Sequence, residues 1–96
     1  MTKADVVNNI SDQLGIDKSD VLATIECFMK EIKSSLESGE NVYLRGFGSF
    51  IIKTRAEKTG RNISRNVAVK IPAHNIPAFK PAKVFINGVK SKVEVA

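Results

Sequence analysis

Ninety-six residues, 43% of them hydrophobic, suffice for one small domain with a modest core. No apolar run approaches the roughly 18 residues of a membrane span, and the opening MTKADVVNNI lacks the features of a secretory leader, so a soluble cytoplasmic protein is expected. A single cysteine, Cys27, excludes an internal disulfide and is expected as a small buried or half-buried hydrophobe.

The net charge of +5 is unevenly spread. Residues 1–40 carry four lysines against eight acids, a net of −4, and residues 41–96 carry eleven Lys/Arg against Glu57 and Glu94, a net of +9. Residues 53–70 alone net +5, because Glu57 is the one acid among six cations. Two readings fit such a segment: a polyanion site or a solubilising charge run.

In chain order, Thr2 is placed to cap a first helix with Asp5 in a capping-box position. Val6, Val7, Ile10 and Leu14 share one face of it, and Gly15 can end it with a left-handed backbone. Asp17 is the next N-cap, with Asp20 in the first turn. Val21, Leu22, Ile25, Phe28, Met29, Ile32 and Leu36 form an apolar stripe that ends before Gly39. That stripe needs a sheet, another helix or a second subunit to cover it.

After Asn41 the composition becomes β-like. Val42–Leu44 read as a short strand, and RGFGSF at 45–50 as a turn into a second one. Residues 53–71 read as one long basic hairpin with its tip near residues 60–66. Having few large apolar residues to bury, the hairpin should project from the body and be mobile when free. Pro72 and Pro77 are expected to break up the stretch that follows, and Pro81 to open a final helix with Val84, Phe85 and Val89 on its apolar face. A single α+β domain results, divided as 1–40 helical, 41–81 sheet with the arm at about 53–71, and 82–96 helix and tail.

A basic two-stranded ribbon can lie in a DNA groove, with Lys53, Arg55, Lys58, Arg61, Arg65 and Lys70 reaching phosphates. Arginine suits a narrow minor groove, and Asn62 can face its degenerate A·T edge pattern. Ile63 stands among polar neighbours with no local core to join. It is either a wedge that enters between base pairs or an ordinary hairpin residue. Phe47, Phe50 and Phe79 fit core and subunit interface better than base stacking. His74 has no second ligand in sight, so no metal site is expected, and no nucleophile–base pair or phosphate-binding glycine loop argues for an enzyme.

Five segments, MTK at 1–3, RGFGSF at 45–50, RAEKTGRN at 55–62, IPA at 71–73 and PAFKPAK at 77–83, together resemble the HU/IHF family of bacterial histone-like proteins along essentially the whole chain. The resemblance implies two N-terminal helices, a three-stranded antiparallel sheet extended into a β-arm, a short C-terminal helix and an intertwined dimer. It implies double-stranded DNA as partner, bound and bent in the minor groove within the nucleoid, with no cofactor, membrane or small-molecule substrate. The dimer would be of identical chains or of paralogues. The family's arm tip normally bears an intercalating proline where this chain has Ile63, and a glycine where it has Asn66. Lys3, Lys80 and Lys83 match basic positions facing the DNA flanks, although Lys3 could equally pair with an acid such as Glu26. Arg45 matches an arginine of IHF-like subunits, and the backbone around Gly46 and Ser49 would hold phosphates.

Overall fold

The computed structural model describes residues 1–62 and 67–95. Two helices come first, α1 (Lys3–Leu14) and α2 (Lys18–Glu37). Both begin where their caps dictate. Thr2 and Asp5 close a reciprocal capping box, and the Asp17 carboxylate accepts a hydrogen bond from the Ser19 N–H. Gly15, at φ +67°, ends α1 in the left-handed conformation that its missing Cβ permits.

Strands β1 (Val42–Leu44), β2 (Gly48–Arg55) and β5 (His74–Pro81) form an antiparallel sheet in the order β1-β2-β5. Strands β3 (Lys58–Asn62) and β4 (Val67–Ile71) pair only with each other, and α3 (Lys83–Lys92) closes the chain. Phe50 and Ile52 belong to the sheet face that meets Ile32 and Leu36 of α2 across an open apolar trough. At the other end, Phe79 packs its ring 5.1 Å from Phe47 and 4.9 Å from Phe50, while Phe85 of α3 stacks on Phe47 at 5.5 Å.

Two expectations about the strands require correction. The basic hairpin does not start at residue 53: Lys53, Thr54 and Arg55 pair with Ile76, Asn75 and His74 as part of the body sheet. Both ladders follow one register, Gly48 opposite Pro81 and Asn62 opposite Val67, interrupted only at Ala56-Glu57 and Pro72-Ala73. After the arm, Pro72 does break the ladder, but Pro77 does not, since Pro77 and Pro81 sit inside β5 and α3 begins only at Lys83.

Hydrogen-bond parity explains all three prolines. The Ile52 N–H donates to the Asn41 side chain at 3.0 Å on the β1 side, so Ile52 and its partner Pro77 form a non-hydrogen-bonded pair. Pro77 and Pro81, an even number of residues apart, therefore point their nitrogens off the outer edge of the sheet, where no ladder bond is lost. Pro72 has the opposite parity and lacks the N–H that would bridge to Glu57. The ladder stops there.

A single chain encloses very little. Among the described residues, Val7 and Val21 are the buried hydrophobic ones, while Phe28, Met29, Ile86 and Val89 all remain exposed. The radius of gyration is 19.0 Å, against about 12 Å for a compact domain of this length. Cys27 is exposed too, contrary to expectation, because its helical phase places it beside Thr24 and Glu31.

Candidate nucleic-acid interface

Sheet alternation sorts the cations. Ser49, Ile51, Lys53 and Arg55 of β2 share one face with Ala78 and Lys80 of β5, opposite the face carrying Phe50 and Ile52. Tyr43 joins that face through its pairing with Ser49, which is itself paired with Lys80. The surface turned away from α2 is thus polar and basic, over half-buried Ile51 and Ala78.

One end of this face folds into a shallow concavity lined by Tyr43, Arg45, Gly46, Ser49, Lys80 and Lys83. The turn between β1 and β2 builds it. Gly46 takes φ +82°, and the Phe47 N–H returns to the Leu44 carbonyl at 3.0 Å. The Phe47 carbonyl then accepts from the Ala82 N–H at 2.9 Å, fastening the turn to the start of α3. Gly48 lets the strands close: a Cβ there would lie 2.6 Å from the Lys80 carbonyl oxygen and 2.7 Å from the Phe79 ring. Ala82 gives α3 no side-chain cap, so no side chain occupies the N–H groups of its first turn, which begins at Lys83. Three cations around a hollow next to an uncapped helix start suit an anionic oxygen.

The arm continues from the far end of the sheet. Lys53 and Arg55 are exposed on the body sheet leading to it and Lys58 is exposed at its start, while Arg61 and Asn62 end β3 opposite Ala68 and Val67. Ile63, Arg65 and Asn66 lie outside the described residues. Lys70 is not free in the isolated chain: its Nζ lies 2.9 Å from Glu57 Oε1, across the interruption of the ladder. Lys3 is likewise paired, 2.9 Å from Glu26 Oε1, as one of its two readings had it. The predicted cations therefore form two groups, a body group around the turn and an arm group, with Lys3 apart on α1.

Sequence reasoning passed over two residues here. The sequence marks Tyr43 only as a strand former, although its exposed position between half-buried Val42 and Leu44 follows from strand alternation. Glu57 was counted as a stray acid rather than as the partner of Lys70. Among the described residues, no three His, Cys, Asp or Glu side chains gather as a metal site, and no helix is long and apolar enough to cross a membrane.

Comparison with known proteins points the same way. Residues 1–90 match the family described as bacterial DNA-binding protein. The integration host factor alpha subunit of Aliivibrio fischeri strain MJ11 is 38% identical over 94 residues, covering 98% of this chain and 92% of the relative. That of Pseudoalteromonas translucida is 37% identical over 95 residues, covering 99% and 92%. Among solved structures, HU from Anabaena in a cocrystal with DNA superposes with a TM-score of 0.88 at 32% identity, covering 93% of this chain and 97% of that one. An HU variant from Thermotoga maritima gives 0.70 at 25% identity, covering 93% and 99%.

Proposed function

This chain belongs to the HU/IHF family of bacterial DNA-binding proteins, and from that premise we propose that it binds duplex DNA along the minor groove and bends it, with little reading of base sequence. One observation carries the proposal. A two-stranded arm, unattached to any other strand, extends a basic sheet face that already holds Lys53, Arg55 and Lys80.

The working unit is a dimer, of this chain with itself or with a paralogue. Exposed Phe28, Met29, Ile86 and Val89 and the open trough beside α2 support this, because so much bare apolar surface is costly in water. Two arms would then grip one duplex from either side. Arg55, Lys58, Arg61 and Arg65 neutralise phosphates and release counterions, with Asn62 facing base edges in the groove. Gly46 and Ser49, with Arg45, Lys80 and Lys83, hold the duplex on the body. Lys3 and Lys70 join once their carboxylate partners give way to phosphate. Ile63 acts as the wedge, and easily deformed A·T-rich or damaged sites are favoured because kinking them costs less. The place of such work is the nucleoid, in the cytoplasm.

The deciding measurement is affinity for one duplex across a series of salt concentrations. Replacing Arg61 and Arg65 by alanine removes two arm cations per copy of this chain, so in a dimer of identical chains the log–log slope should flatten by about 3 to 4. An unchanged slope would mean that the arms do not touch the phosphates.

A further inference from the structure

Tyr43 is 72% exposed, an unusual position for the chain's one tyrosine. It gains little from burial there, so packing does not account for its placement. Its side chain stands on the sheet face of Ser49 and Lys80 and lines the same hollow as Arg45 and Lys83.

Its hydroxyl is oriented by a short relay. The Ile52 N–H can only donate, so the Asn41 side-chain atom 3.0 Å away must be the carbonyl oxygen Oδ1. That fixes the Asn41 amide, whose Nδ2 faces the Tyr43 hydroxyl oxygen at 3.3 Å. Nδ2 has protons and no accepting lone pair, so Tyr43 must accept from it. The phenol proton is left without a use inside this relay, on an exposed basic surface. An exposed neutral O–H donor on a basic face is suited to an anionic oxygen.

We propose that Tyr43 is a DNA contact, its hydroxyl donating a hydrogen bond to one backbone phosphate held at the body of the protein. The inference rests on the DNA-binding reading above and adds a contact of a different kind. Arg45, Lys80 and Lys83 act through charge, whereas Tyr43 acts through a directed, uncharged hydrogen bond that displaces no counterion.

Tyr43→Phe keeps the ring and removes only the donor. In titrations of the full-length protein against one duplex at several salt concentrations, the variant should bind about five- to tenfold more weakly. Its salt slope should run parallel to that of the unsubstituted protein. Equal affinity overturns the proposal, and so does a shallower slope, which would show the hydroxyl to be placing a neighbouring cation. Methylphosphonate substitution at single phosphates gives a second readout. One phosphate position in each half of the duplex should matter to the unsubstituted protein and cease to matter to Tyr43→Phe, and finding none overturns the contact. If the unsubstituted protein failed to bind duplex DNA at low salt, the DNA-binding reading itself would fall. Binding without a Tyr43 effect would remove this inference alone.

Discussion

Strands β2 and β5 and strands β3 and β4 belong to one hairpin in one register, but only the first pair has a helix behind it. In the body, Phe50 and Ile52 alternate with Ser49, Ile51 and Lys53, so one face packs and the other meets solvent. In the arm, Val69 and Ile71 lie 45% and 42% exposed, and among the described residues β3 and β4 pack mainly on each other. The same backbone hydrogen bonding thus serves two ends. Packing of one face steadies the body before DNA arrives, whereas the arm keeps its cations on a ribbon whose contacts come from outside. Pro72 marks the boundary, because the ladder cannot cross it unbroken.

That contrast predicts opposite sensitivities to truncation. Phe79→Ala removes the ring shared by Phe47, Phe50 and Phe85, and is expected to cost about 2 to 3 kcal/mol of folding stability. Val69→Thr, in the arm, should change stability by less than about 0.5 kcal/mol. Chemical denaturation at matched protein concentration measures both, since association shifts the apparent midpoint. Similar losses at the two positions would break the distinction between a packed body and an unsupported arm.

Features determined by neighbours in the chain were legible in advance. Thr2 with Asp5, Gly15 and Asp17 mark helix ends because capping is settled within a few residues. The arm's basic strands were legible for a similar reason. Strand β5 was not, because a proline in a strand is tolerated or forbidden by the direction its nitrogen faces, which only the partner strand decides. Cys27 was misplaced because its surroundings depend on which side of α2 is covered. The body hollow was reached through family resemblance alone. Arg45, Lys80 and Lys83 are brought together by the Ala82 to Phe47 hydrogen bond, which no local pattern announces. Tyr43 was missed for the same reason, since its partners Ser49 and Lys80 lie on two other strands.

Ile63 sharpens the comparison at the arm's far end. If the arm is built for contact and not for its own packing, an apolar residue there has work only against the bases. Ile63→Ala should leave thermal stability unchanged and cost about 1 kcal/mol in affinity, about fivefold. Bending of end-labelled duplex, read by energy transfer, should fall by a larger fraction than binding does, because the unstacking wedge is gone while the phosphate contacts remain. Undiminished bending would assign the kink to the cations alone.

The smallest effect is expected at the interruption between the two ladders. Glu57 is the one acid among the cations of residues 53–70 and holds Lys70 at 2.9 Å, with the two side chains 49% and 77% exposed. A pair so open to water contributes about 0 to 1 kcal/mol, so Glu57→Gln should barely alter folding. Its effect should appear on DNA instead. Neutralising Glu57 removes a repulsion from each arm and frees a lysine that phosphate must otherwise win from a carboxylate. Affinity should then rise about two- to threefold, with a slightly steeper salt slope. Weaker binding would give the pair the opposite role, holding Lys70 in the posture the duplex needs. The arm's base would then be preorganised like the body, and the boundary between the two regions would have to move outward past Lys70.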